Sequence, residues 1–161
     1  MVTGSDLAQA PATAGPDRRI GLVSALVRIS GLIQQVLVGA SAELGLTSQQ
    51  AQLLCVVDHA PVSMRDLGAL MRVRKSGMTG LVDRACDAGL IVRRADPRDG
   101  RSWLVVLTPA GQTLVRRFKR SVTTQVERLL DGLACPEREI VEGALSGIVL
   151  ANEFPDTWPD D

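Results

Sequence analysis

The chain has 161 residues, the size of one domain or a closely joined pair. Hydrophobic residues make up 45% and aromatics only 2%, so any core is built from Leu, Val, Ile, Ala and Met, and the shortage of rings argues against a base-stacking surface for single strands. Formal net charge is zero, yet the segment Arg65–Arg120 holds thirteen Arg or Lys against five Asp, a local +8 that points to a polyanion-facing region.

Residues 1–16, MVTGSDLAQAPATAGP, are small, Pro- and Gly-bearing and non-periodic, and are expected to form a disordered tail. A first helix is expected from Asp17 to Glu43. Its stretch IGLVSALVRISGLIQQVLVG, residues 20–39, has the length of a membrane span, but Arg28, Gln34 and Gln35 interrupt it. The reading is a soluble helix, apolar almost all round and buried against a second copy of the chain. Gly45 supplies its C-terminal cap.

Thr47 and Gln50 form a capping box that opens a second helix, which carries Ala51, Leu54 and Val57 inward and ends near His59. APV, residues 60–62, is extended. Ser63 and Asp66 then start a third, short helix feeding Leu67, Leu70 and Met71 into the core. A tight turn at Arg72–Val73–Arg74 leads to a fourth helix, Lys75–Ala88, ended by Gly89. Its apolar stripe is Met78, Leu81, Val82, Ala85 and Cys86; Ser76, Gly77, Gly80, Asp83 and Arg84 fall on the opposite face, with Thr79 between. Two glycines on an exposed helical face suit a backbone pressed close to a groove or a phosphate. Arg72, Arg74 and Lys75 crowd the helix N-terminus, a poor choice for helix stability and a good one for holding phosphate.

Leu90–Ala95 and Ser102–Leu107 read as strands around the tip DPRDGR, residues 96–101. Thr108–Pro109 is a cap followed by proline in the first helical position. Val115, Phe118, Val122, Leu129 and Leu133 mark a long helix, which Cys135–Pro136 breaks. A last helix bears Ile140, Val141, Ala144, Leu145, Ile148 and Val149, and residues 153–161 form an acidic tail. The fold class expected is mainly α with a small β-hairpin wing, a winged helix-turn-helix at 46–108. The long helices at 17–45 and 109–152 form a dimerisation region.

LTSQQAQLL (46–54), DLGALMRV (66–73), GMTGLVDRACDAGLIVRR (77–94) and above all DPRDGRSWLVVLTPAG (96–111) resemble the MarR family of bacterial transcription regulators. The resemblance covers about residues 20–150. It implies a homodimer with two recognition helices in successive major grooves of double-stranded DNA and wings over the flanking minor grooves. By that resemblance Arg98 enters the minor groove, Asp96, Asp99 and Arg101 brace the wing, and Ser76, Thr79, Gly80 and Arg84 lie on the recognition helix. Ser63 and Arg65 stand where family members meet phosphates. Arg28, Ser30, Gln34 and His59 lie nearest the family's effector pocket, with Glu127 or Asp131 as structural partners for Arg28. Arg74 stands where relatives carry a Ser-type residue, which puts the capping of the fourth helix in doubt.

The three cysteines, Cys55, Cys86 and Cys135, have neither disulfide-scaffold nor metal-ligand spacing. Cys55 and Cys86 read as core residues and Cys135 as an exposed thiol. The first helix carries no cysteine for peroxide sensing. With no nucleophile–base pairing and no ligand cluster, no enzyme activity, metal or cofactor is expected. With no signal-peptide pattern, the expected compartment is the cytoplasm. The function expected is a dimeric, DNA-binding transcription regulator, a repressor on a pseudo-palindromic operator released by a small-molecule effector. The rival reading is a winged-helix dimer that no longer binds DNA and serves as an interaction or effector-holding module.

Overall fold

A computed structural model describes residues 20–71 and 73–152; the side chains of Lys75, Ser76 and Arg101 lie outside the described set. The tails at 1–16 and 153–161, the expected helix start at Asp17, and Arg72 therefore fall outside it too. The chain divides into two compact units at Leu32/Ile33. The described part of the first unit is mostly the opening of α1 (Leu22–Glu43), whose residues up to Leu32 are exposed apart from half-buried Ala25.

In the second unit, α1 ends at Glu43 on a left-handed glycine, Gly45 (φ +69°). The Leu46 N–H donates to Ser41 O and the Gly45 N–H to Ala42 O, which satisfies the last carbonyls of the helix. α2 (Ser48–His59) opens on the expected capping box: the Gln50 N–H donates to Thr47 Oγ1 and the Thr47 N–H to Gln50 Oε1. α2 is the hub of the core and buries Ala51 and the run Leu53–Val57.

β1 (Val62–Ser63) pairs antiparallel with β3, so the sheet has three strands in the order β1-β3-β2 and is not the lone hairpin expected. A two-residue strand is too short for any alternation to reveal it. α3 (Met64–Leu70) is capped by Ser63, whose Oγ accepts from the Asp66 N–H. Leu67 and Met71 are buried, whereas Leu70, expected to join them, is 40% exposed, because the helix ends beneath it after two turns. α4 (Lys75–Asp87) buries Met78, Leu81, Val82 and Ala85 as its spacing requires and holds Cys86 half-buried. It ends as α1 does, on left-handed Gly89 (φ +68°), with the Leu90 N–H reaching Ala85 O.

β2 (Ile91–Asp96) and β3 (Asp99–Leu107) extend further toward the tip than expected. Asp96 faces Asp99 across a turn of only Pro97 and Arg98. The Asp96 carboxylate accepts the Arg98 N–H at 2.9 Å, a side chain closing the turn in place of backbone. The surplus length sits in β3: register jumps from Asp96↔Asp99 to Ala95↔Trp103, so residues 100–102 bulge out of the ladder. The expected six-residue tip is thus a two-residue turn plus a bulge.

α5 (Pro109–Leu129) starts on Thr108, whose Oγ1 accepts from the Gly111 N–H and donates to Gly89 O at 2.7 Å, fastening α5 to the end of α4. Gly111 is buried, and a Cβ there would lie 2.0 Å from Leu90 O. Val115, Phe118 and Val122 enter the core. Leu129 is half-exposed, and Leu133 lies in the turn after α5 rather than within it. Cys135–Pro136 begins α6 (Cys135–Ala151) instead of merely breaking α5, because proline is tolerated in a first helical turn, where its missing N–H has no helical partner. α6 buries none of its residues within the chain, and Ile140, Ile148, Val149 and Leu150 are all more than half exposed.

Candidate nucleic-acid interface

α3 and α4 form a helix-turn-helix packed on α2, with Met78, Leu81, Val82 and Ala85 turned inward. The opposite face of α4 is therefore outward. Gly77, Thr79 and Arg84 on it are exposed, and Gly80 is half-buried. A Cβ on Gly80 would meet only the Arg84 guanidinium, at 3.4 Å; one on Gly77 would meet the Val73 side chain at 3.2 Å. Neither glycine is demanded by the fold.

Arg74 is the N-cap of α4, extended and without a side-chain cap bond, as its departure from the family pattern foretold. The first N–H groups of α4 thus have no side-chain acceptor from that residue. Arg65 is exposed in the first turn of α3, and Ser63 beside it is half-buried, with its Oγ donating to Asp66. Arg72 and the side chains of Lys75, Ser76 and Arg101 are outside the described residues.

Asp83, expected on the outward face, turns instead to the wing: Arg93 of β2 donates to its carboxylate at 2.5 Å. Directly paired residues of an antiparallel ladder share a face, so Arg93, Val105, Ala95 and Trp103 all lie on the side of the sheet that looks toward α4. Val105 is fully buried there, but Trp103, two residues farther along β3, is 54% exposed. It closes a cleft of about 560 Å³ with Ser63, Met64 and Arg65 of the α3 start, Thr79 of α4 and Ser102 of the wing. Arg98 is exposed at the turn beyond it. Asp96 accepts the Arg98 backbone N–H.

The basic run on α5 divides by role. Lys119 donates to Asp58 of α2 at 2.8 Å in a half-buried pair, so it belongs to the fold. Arg116 donates to Thr113, while Arg117 and Arg120 line an open groove with Arg128. Arg28 and Ser30 of the first unit are exposed, as are Gln34 and His59 of the second, whose described cavities are lined by other residues. Asp131 lies 3.9 Å from Arg138. Burial pushes the Cys55 thiol up to about 11, with nearby Asp58 adding to the rise and Lys119 opposing it; burial also raises Cys86, and Cys135 is exposed. No group of three metal-ligating side chains occurs among the described residues. Sequence reasoning missed Trp103 and Arg93, whose positions follow from sheet register rather than from a motif.

A sequence model described as MarR family matches residues 44–102. The HTH-type transcriptional repressor Rv2887 of Mycobacterium tuberculosis is 27% identical over 114 residues, 70% of this chain and 82% of that protein. Among solved structures, RV1404 from M. tuberculosis superposes with a TM-score of 0.74 at 28% identity, over 84% of this chain and 94% of that one. CouR of Rhodococcus, solved bound to a 23-mer DNA duplex, gives a TM-score of 0.64 at 25% identity, over 80% and 92% of the two chains. CouR has also been solved with p-coumaroyl-CoA, at 26% identity and a TM-score of 0.64, over 79% of this chain and 90% of that one. Among the described residues, six helices, a three-stranded wing sheet and an outward-facing second helix of the helix-turn-helix agree with these matches. Residues 44–102 thus match the MarR family, and the chain as a whole is similar to HTH-type transcriptional repressors.

Proposed function

We propose that this protein is a homodimeric repressor that reads double-stranded DNA with α4 and the wing and is released by a small-molecule effector. The observation that carries the reading is the shared cleft of Thr79 and Trp103, which sets the outward face of α4 and the basic wing on one surface. That surface falls within the +8 segment of a chain with no net charge. The DNA-bound and p-coumaroyl-CoA-bound forms of CouR support the two partners.

In this reading residues 46–108 contact DNA. Ser63, Arg65, Arg72, Arg74 and Lys75 hold phosphates; Ser76, Gly77, Thr79, Gly80 and Arg84 face the major groove. Arg98 and Arg101 serve the wing, with Asp96 and Asp99 bracing it. A narrow minor groove concentrates negative potential, which suits an exposed arginine at the tip of a two-residue turn. Residues 17–45 and 109–152 join two copies. Supporting this, α1 and α6 both expose rows of apolar side chains that one chain leaves uncovered. By length and composition α1 would also cross a membrane. Arg28 near its middle and the equally bare α6 favour a second copy over lipid. Arg28, Ser30, Gln34 and His59 remain the proposed effector contacts, the cytoplasm the proposed compartment, and catalysis forms no part of the role.

Footprinting on the intergenic DNA beside the gene tests the proposal. Two protected half-sites about 34 Å apart are expected, with affinity falling steeply as salt rises. Arg98→Ala should weaken binding about tenfold, the loss of one good groove contact. A protein that is dimeric yet protects no DNA, with Arg98→Ala changing nothing, would instead be a docking or effector-holding module.

A further inference from the structure

The wing has a face that its charged tip does not explain. Trp103 continues the inward row of β3, two residues beyond buried Val105 and four beyond Leu107. At Val105 that row meets the core; at Trp103 the core has ended, and the ring projects into open space between the wing and the helix-turn-helix. A large exposed apolar side chain is costly to leave bare, and this chain spends few aromatics anywhere. The cleft around it is of mixed character: Met64 lines it together with the indole, while Ser63, Arg65, Thr79 and Ser102 supply polar groups, and Arg93 borders the adjoining hollow.

Geometry limits what can lie there when DNA is bound. If α4 occupies a major groove and the wing the next minor groove, the sugar–phosphate strand dividing the two grooves passes between α4 and the wing. A strand of that kind presents alternately an apolar sugar face and an anionic phosphate. The cleft offers the matching pair, an indole with a thioether beside it and hydroxyl and guanidinium groups around them.

We propose that Trp103 is a DNA-backbone contact, its indole packed on a deoxyribose of the strand between the two grooves, with Arg65 and Ser63 toward the adjacent phosphate. The inference rests on the DNA-binding reading above. As a backbone contact Trp103 adds affinity and register without reading sequence.

The 161-residue chain with Trp158→Phe leaves Trp103 as its one tryptophan. Titrating it with the operator duplex found by footprinting should change Trp103 emission saturably, at the same midpoint as a gel-shift assay. Trp103→Ala should lose about tenfold in affinity, equally for operator and scrambled duplexes, with the salt slope unchanged because no charge is removed. Arg65→Ala should flatten that slope by about one phosphate. Trp103→Phe, which keeps a ring, should retain most of the binding and serves if the alanine variant folds poorly. Unchanged emission at full DNA occupancy, or wild-type affinity in both Trp103 variants, overturns the inference while leaving DNA binding intact. Failure of the parent protein to bind any duplex overturns the DNA reading and this contact with it.

Discussion

Arg93 in the wing and Asp83 in α4 are joined by an ion pair that links the wing to the second helix of the helix-turn-helix. Their side chains are 35% and 48% exposed, so the pair sits in water and adds under about 1 kcal/mol to stability. Its effect is on geometry: it ties the angle of β2 to the outer face of α4. Asp83→Asn and Arg93→Gln are each expected to leave the melting temperature nearly unchanged and to weaken operator binding. In the double variant the losses should not add, because both break the same link. Strictly additive binding losses would show that the pair does not couple wing to helix.

Gly77 and Gly80 separate stability from binding. A methyl group at Gly80 meets only the flexible end of Arg84, and alanine is favoured over glycine in a helix by about 1 kcal/mol. Gly80→Ala should therefore melt no earlier than the parent. If α4 lies close against DNA, the same variant should bind its operator more weakly, as read by fluorescence anisotropy. Gly77→Ala should gain less stability, since Val73 must shift from a 3.2 Å approach. Full DNA affinity in both variants would remove the close-approach explanation for these glycines.

Gly111 is the contrasting case. An added Cβ would lie 2.0 Å from a backbone oxygen, Leu90 O, which no rotamer change can relieve. Gly111→Ala should destabilise the fold by about 1–3 kcal/mol or more in urea denaturation, since α5 must pull away from the end of α4. Thr108 also fastens that junction, through Gly89 O, so Thr108→Val should add a smaller loss of its own.

Lys119 and Arg117, two residues apart, should respond very differently to loss of charge. Lys119→Met strands Asp58 in a half-buried position and should cost about 1–3 kcal/mol. Arg117→Met removes an exposed charge and should change stability by less than about 0.5 kcal/mol. Thermal melts of the two variants check the ordering.

The thiols give a pH prediction. The folded chain holds Cys55 neutral up to about 11, above its ordinary 9.0, so the unfolded chain releases that proton first as pH rises. The stability this contributes is whole below 9.0 and is lost between 9.0 and about 11. Cys55→Ala should flatten that alkaline decline, at the expense of a cavity. At neutral pH a maleimide probe should modify Cys135 first and Cys55 only on unfolding.

Much of this molecule was legible along the chain because the signals are local. The Thr47–Gln50 box, the Ser63 and Thr108 caps, the glycines after α1 and α4, and the inward stripe of α4 each depend on residues within two turns of one another. The sequence likewise determined that charge collects on one segment and that the first helix is apolar almost all round. Only tertiary structure decided the rest. β1 exists because Val62 finds Val105 more than forty residues away, and Gly111 is obligatory because α5 crosses Leu90. Asp83, placed by the helical period on the outward face, is turned aside by Arg93; Lys119, one of four like charges in a run, is claimed by Asp58. The wing tip shows the division most plainly. Composition marked it as a turn, but whether its surplus residues lie in the turn or in the strand is set by cross-strand register. That register also puts Trp103 opposite Ala95 and into the cleft facing α4. Periodicity assigns a residue to a face of its own element; what that face meets depends on packing partners distant in sequence.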